Sequence, residues 1–345
     1  MITLPSHPPV SLAIVGLSFG RHIMETLRNS PMSRFIRLAG VCDLQVKLTN
    51  ELAAEFGVRA YRSLDDILQD DSITAVGLYT QPNGRAKLIR EIIRAGKDVM
   101  TTKPFELDSD EAESVLREAE SLGRVIHLNS PSPCPTEDLA QIQSWVEMHD
   151  LGQLVSARGE VWASYFEDAD GSWMDDQALC PGGAMMRLGI YLINDIVHLA
   201  GPVQQANLIS SRVRTGRPTP DNALLAMSCA SGCLASVYAS FCVNDGDRYS
   251  NGLALNYERG SIYRNIGTAC LPPKAKNSHL SLIMGDGEKR RLVAEKDFTE
   301  VSGVYRWENF HNAIRKGESI DGAYIQRIVE GVRIIEAMRG LVPAI

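Results

Sequence analysis

Over the first 128 residues, short apolar runs alternate with amphipathic stretches. Residues 11–15 form a β-branched run that enters Gly16-Leu-Ser-Phe-Gly20, and a helical pattern follows over 21–29. Residues 36–43 read as a second strand ending on the carboxylate of Asp43, then a helix over 48–56. Strands at 74–79 and 98–101 are separated by a helix over 85–95, and a helix over 111–122 precedes a last strand at 125–128. Strands alternating with helices of this length predict a parallel, doubly wound sheet.

The pattern then changes. From Leu154 onward, runs rich in valine, alanine and serine cover 155–165, 205–213, 223–227, 235–241 and 252–257, some separated by turns such as Ser231-Gly232. They predict an open sheet of mostly antiparallel neighbours, with small side chains gathered on one side along 224–228 and 235–240. Segments 274–278 and 286–291 read as loop or edge. Between these regions, residues 180–201 are apolar almost all round and read as a buried helix. Its polar groups Arg187, Tyr191, Asn194 or Asp195, and His198 recur at steps of three or four, which puts them on one face. An unpaired buried polar group costs about 1–3 kcal/mol, so the stripe meets either a structural network or a wet cleft. The cleft is the favoured reading, with Asp175 and Asp176 on a solvated loop near it.

A chain of 345 residues exceeds one comfortable core. The patterning predicts an α/β protein with an N-terminal dinucleotide-binding Rossmann domain over 1–128. Residues 129–345 form a substrate-binding and oligomerisation domain, its last helix free to pack back on the first. A net charge of −7 with dispersed basic residues argues against nucleic acid as partner. No apolar run approaches the roughly 18 residues that span a bilayer, and the N-terminus lacks a signal-peptide pattern. The seven irregularly placed cysteines complete no zinc pattern, so no metal is expected. They read as free thiols in a reducing cytoplasm. An open sheet face predicts a homodimer or homotetramer.

Doubly wound sheets bind ligands at the carboxyl ends of their strands. The first βα turn would seat a pyrophosphate on helix amides, engaging Gly16, Ser18, Phe19, Gly20 and Arg21. Asp43 would accept from an adenosine ribose, which favours NAD; Arg21 leaves NADP as the alternative. The G-x-G-x-x-G fingerprint is imperfect, with Ser18 and Arg21 at its second and third glycine positions.

The run from Ala95-Gly-Lys97 through Thr101-Thr-Lys-Pro-Phe105 resembles the A-G-K-x-V-x-x-E-K-P signature of the Gfo/Idh/MocA oxidoreductase family. Thr80-Gln-Pro-Asn83 resembles its T-P-N loop, Trp173 followed by Gly182-Gly183 its approach to the catalytic helix, and Asp321-Gly322 with the helix after it its last helix. The resemblance implies a Rossmann domain, a C-terminal α/β domain, and an active site between them that uses a nicotinamide cofactor. It adds Thr80, Pro82, Lys103 and a cis Pro104 to the cofactor set, and assigns Asn129, Trp173, Arg187 and Asn194 to the substrate. The family's catalytic helix reads D-x-G-x-H, whereas this chain has Arg187 and Tyr191 around Gly189. Tyrosine for histidine occurs among relatives. Arginine for aspartate is a departure that suggests an acidic or otherwise altered substrate.

Oxidising a secondary alcohol needs a hydride acceptor and a group that takes the hydroxyl proton. Free tyrosine has a pKa of about 10, and a nearby cation favours its ionised form. Tyr191 is therefore the expected proton-transfer group, with Lys103 and Arg187 as the assisting cations. The expected reaction is hydride transfer between NAD(P) and a sugar, cyclic polyol or similar small molecule. The alternatives are a cofactor-retaining glycosidase or lyase, and a non-catalytic dinucleotide-binding regulator.

Overall fold

A computed structural model describes residues 7–246, 249–266, 278–300 and 302–341. The chain divides into two compact units, one of Met1–Pro133 with Tyr305–Ile328, the other of Cys134–Val304 with Val329–Ile345.

In the first unit the alternation becomes β1 (Val10–Val15), α1 (Leu17–Arg28), β2 (Ile36–Cys42), α2 (Val46–Phe56), β3 (Arg59–Ala60), α3 (Leu64–Leu68), β4 (Ala75–Leu78), α4 (Arg85–Arg94), β5 (Asp98–Thr101), α5 (Ser109–Ser121) and β6 (Ile126–Leu128). The strands form one parallel sheet in the order β3-β2-β1-β4-β5-β6, the doubly wound order of dinucleotide-binding folds. Every residue of β1, β4 and β5 is buried, as expected where helices cover both faces. The pair β3–α3 falls below the length at which periodicity is readable. Ser63 caps α3 and Asp108 caps α5, each accepting from a backbone amide of the first turn.

Register decides where the loops emerge. Val15 pairs with Cys42 and Leu78, Leu78 with Thr101, and Thr101 with Leu128. The segments after β1, β2, β4, β5 and β6 therefore leave the sheet at a common carboxyl edge.

The second unit contains α6 (Glu137–Met148), β7 (Leu154–Trp162), a 3-10 turn at Trp173–Asp175, a π-helical turn at Met185–Gly189 and α7 (Ile190–Ala200). Its sheet adds β8 (Val203–Ser211), β9 (Asn222–Cys229), β10 (Leu234–Ser240), β11 (Ser250–Tyr257), β12 (Gly260–Arg264), β13 (Ser278–Asp286) and β14 (Lys289–Phe298). The order is β14-β13-β12-β11-β7-β10-β9-β8, antiparallel except for the β7–β10 pair. Residues 274–277 lie outside the described set. Residues 286–291 join the end of β13 to the edge strand β14. Small side chains of β7, β9 and β10 (Ala157, Gly159, Ala223, Ala235, Ala239) lie on the buried side of the sheet, where α7 packs and Leu192 approaches Gly159 closely. The other side exposes Val155, Ile209, Leu224 and Leu234.

The buried Arg264 at the end of β12 ties this unit together. It donates to Asp138 Oδ2 at 3.1 Å, Asp195 Oδ2 at 2.7 Å and Asn251 Oδ1 at 3.0 Å, linking α6, α7 and the sheet. Breaking such a buried set by deleting one partner costs about 3–5 kcal/mol.

The chain then returns to the first unit through α8 (Trp307–Lys316) and the start of α9 (Gly322–Leu341). Trp307, Phe310 and Ala313 join the core with Leu12, Phe35, Ala75 and Met100, and Tyr324 Oη accepts from the Leu128 amide at 3.0 Å.

Candidate active site

At the carboxyl edge of the six-stranded sheet, Gly16 takes φ 87°, and a Cβ there would stand 2.8 Å from the Tyr79 carbonyl. Only glycine makes this turn. The helix begins directly after it. Sequence periodicity places the helix start at Arg21, but α1 starts at Leu17, so Ser18, Phe19, Gly20 and Arg21 lie within its first turns rather than in a loop. A Cβ on Gly20 would come within 2.7 Å of Ile14. Gly20 thus provides the close helix–strand approach that the third fingerprint glycine ordinarily supplies.

The Asp43 carboxylate, just past β2, accepts from the Leu17 amide at 2.7 Å and the Gln45 amide at 2.9 Å. It therefore faces the glycine turn and retains lone pairs for further donors. Helix geometry leaves the exposed Ser18 and Phe19 amides without an i−4 carbonyl. Phe19 packs obliquely on Tyr79, ring centroids 5.8 Å apart. Arg21 is engaged elsewhere, with Glu25 at 3.1 Å and Glu55 at 3.5 Å.

After β4, Thr80 Oγ1 is buried and finds no hydrogen-bond partner among the described residues, and Pro82 is buried beside it in sequence. After β5, the Lys103–Pro104 bond is cis, as the family resemblance implies. The half-buried Lys103 donates its amide to Asn129 Oδ1 at 3.0 Å, and the Thr102 hydroxyl reaches the same oxygen at 3.3 Å. Asn129 Oδ1 therefore positions the lysine loop. The glycine cradle, the acidic strand end and the orphaned Thr80 hydroxyl fit a dinucleotide.

Two buried residues here escape sequence reasoning. Arg85 donates to the carbonyls of Thr80, Thr102, Pro104 and Phe105, and Glu106 accepts from the amides of Gly84, Ala86 and Leu107. Their charge pattern reads as ordinary surface because no local signal marks either as buried.

In the second unit, residues 180–201 are not one helix. Residues 180–183 are turn and bend, the helix starts at Ala184, and a π-helical turn precedes α7. π-turns of this kind recur at functional sites. Arg187 lies in that turn and Tyr191 in the first turn of α7. Arg187 is held by Glu167 in a two-pronged pair, with Nη2 to Oε1 at 2.9 Å, and lies 4.6 Å over the Phe241 ring. Glu167 also accepts from Arg217 Nε at 3.0 Å, and Arg217 reaches Asp170 at 2.9 Å and Asp175 at 2.7 Å. The Arg187 hydrogen bond holds the Glu167 carboxyl below its ordinary range.

The polar stripe thus meets structural networks at two of its positions, since Asp195 pairs with Arg264. The paired Arg187 side chain keeps 19% of its surface exposed, whereas the wet-cleft reading does not hold for the buried Asp195. Asp175 is likewise not a solvated loop residue; its second oxygen accepts from the Asp170 and Gly171 amides at 2.9 and 2.6 Å. The half-buried Tyr191 ring lies against Gly303, where a Cβ would stand 2.5 Å from Cε1. Asn194 is buried near Gly331, and Trp173, half-buried, opens the 3-10 turn that delivers Asp175. No group of three or more histidine, cysteine or acidic residues among the described residues is placed to hold a metal.

Residues 10–130 match the sequence profile of an oxidoreductase family described by its NAD-binding Rossmann fold, and residues 139–263 match the GFO/IDH/MocA C-terminal domain. The chain belongs to the Gfo/Idh/MocA oxidoreductase family. It is 25% identical over 199 residues to an uncharacterized oxidoreductase of Schizosaccharomyces pombe, a match covering 56% of this chain and 53% of that one. The chain thus spans about half the length of this curated relative. Among solved structures, levoglucosan dehydrogenase in complex with NADH and levoglucosan superposes with TM-score 0.75 at 16% identity, over 96% of this chain and 97% of that one. Aldose–aldose oxidoreductase from Caulobacter crescentus, complexed with glycerol, gives 0.73 at 20% identity, again over 96% and 97%. These likenesses establish a shared fold.

Proposed function

We propose that this protein is an NAD-dependent oxidoreductase acting on the secondary alcohol or ketone of an uncharged sugar, cyclic polyol or related hydroxylated small molecule. The observation that carries the cofactor half is the glycine turn with Asp43 facing it, in a chain whose family has an NAD-binding Rossmann fold. When bound, the nicotinamide supplies the hydride acceptor or donor. Gly16, the Ser18 and Phe19 amides, Gly20, Thr80, Pro82, Lys103 and Pro104 hold the dinucleotide, and Asp43 accepts from its ribose hydroxyls. A 2′-phosphate would meet the Asp43 carboxylate, and Arg21 is already paired with Glu25 and Glu55, which favours NAD over NADP.

Tyr191 carries the substrate proton at its Oη. Lys103, a cation, favours the phenolate and holds the reacting oxygen. Arg187 enters paired to Glu167 rather than as a bare cation, which favours an uncharged substrate over an acidic one. Trp173, Asn129 and Asn194 complete the substrate set. On this reading residues 1–128 serve the dinucleotide and 129–345 the substrate and assembly. The sugar-type substrate is supported by the fold shared with enzymes crystallised with levoglucosan or glycerol. Exposed Val155, Ile209, Leu224 and Leu234 support a homodimer or homotetramer. Six unlinked cysteines among the described residues suit a cytoplasmic location.

The test is a panel of neutral sugars, polyols and sugar acids offered to the purified protein with NAD⁺ or NADP⁺, following reduced cofactor spectroscopically. Reduction of NAD⁺ by a neutral substrate is expected. A protein that binds neither NADH nor NADPH would refute the assignment.

A further inference from the structure

Arg85 sits at the first position of α4 and is 1% exposed. A cation at a helix N-terminus opposes the helix dipole, and desolvation lowers the ease of keeping it charged, so α4 gains nothing from it. Its partners explain its presence. Nη1 donates to the Thr102 carbonyl at 2.7 Å, to the Phe105 carbonyl at 3.3 Å and to the Pro104 carbonyl, while Nη2 donates to the Thr80 carbonyl.

One planar fork therefore bridges two loops that are distant in sequence, the one after β4 and the one after β5. Glu106 is its counter-charge. The carboxylate is 2% exposed and accepts from the Gly84 amide at 3.1 Å, the Ala86 amide at 2.8 Å and the Leu107 amide at 2.8 Å. Glu106 belongs to the lysine loop yet caps the helix that follows the threonine loop. Arg85 belongs to that helix yet caps carbonyls of the lysine loop. The two residues cross over, and each fixes the other's backbone.

We infer that Arg85, with Glu106, is a positioning residue of the cofactor site: it sets the spacing between the Thr80 loop and the cis Lys103–Pro104 loop, and so the place of Thr80 and Lys103 against a bound dinucleotide. The inference rests on the NAD-binding reading of those loops. A lysine at this position would keep the charge but not the fork, because an ammonium cannot span carbonyls on two separate strands of backbone in fixed geometry.

The experiment compares wild type and Arg85→Lys by three readouts: amide hydrogen exchange of the cofactor-free protein, NADH Kd by fluorescence titration, and the split of kcat against KM for NAD⁺. Expected are faster exchange confined to residues 79–86 and 102–107, and an NADH Kd raised about tenfold or more, with KM for NAD⁺ rising alongside. A folded Arg85→Lys protein whose exchange in these segments or whose NADH Kd stays within about twofold of wild type overturns the inference. Should Arg85→Lys fail to fold, Glu106→Gln is read the same way, and failure of both to fold also overturns it, leaving a pair needed only for the core. A wild type that binds no NADH sinks the functional reading, while loop exchange still decides whether Arg85 ties the loops.

Discussion

The carboxyl edge of the six-stranded sheet and the π-turn leading into α7 carry the two halves of the candidate chemistry, and they are built differently. At the sheet edge, the proposed cofactor site rests on backbone: a glycine turn, helix amides, a cis peptide and carbonyls gathered by Arg85. These follow from short segments in fixed order along a parallel sheet. At the π-turn, the proposed chemistry rests on side chains that are paired by residues distant in sequence. Glu167 neutralises Arg187 and Arg264 holds Asp195. A departure from a family motif in the first region is absorbed locally, as Gly20 does for the missing glycine. In the second the substituted Arg187 is paired by Glu167, so its chemistry cannot be judged alone.

The largest expected effect breaks the contrast at its most exposed claim. Tyr191→Phe should lower kcat by about 10²–10⁴, the usual worth of a general acid–base group, with NADH Kd unchanged. Steady-state rates with parallel binding titrations check this, and wild-type turnover would remove Tyr191 from proton transfer. Next, Arg264→Met leaves two buried carboxylates facing each other without their cation. Chemical denaturation should report a loss of about 3–5 kcal/mol. A loss below about 1 kcal/mol would show that the triad contributes little to the second unit.

A smaller effect sharpens the backbone side of the comparison. Asp43→Ala removes the acceptor facing the glycine turn, and the ratio of kcat/KM for NAD⁺ over NADP⁺ should fall about tenfold. An unchanged ratio would dissociate Asp43 from cofactor choice. The smallest effect concerns pH. Glu167 is held below its ordinary pKa by Arg187, so below the unfolded value the unfolded chain takes up a proton that folded Glu167 refuses. Its contribution is present at neutral pH and is lost as pH falls through the acid range. Arg187→Met should flatten the acid limb of Tm against pH, and an unaltered limb would count against this linkage.

By itself the sequence determined the parallel sheet, the glycine turn, the acidic end of β2 and the lysine before Pro104, because each is written in contiguous residues obeying local periodicity or a short motif; the cis bond at Pro104 came only from the family resemblance. It placed the start of α1 four residues late, since a helix that begins immediately after a tight glycine turn carries no conventional cap to announce it. Short β3 and α3, and the weakly amphipathic α6, did not stand out from loop, whereas α8 is clearly amphipathic and only its return into the first core, across a long sequence separation, was not legible. Only the tertiary structure decided that Arg85 and Glu106 cross-brace two loops, that Glu167 meets Arg187, and that Asp195 answers to Arg264. Those outcomes depend on which buried charges meet across long sequence separations, and the partner of a desolvated charge is chosen by the fold, not by its neighbours along the chain.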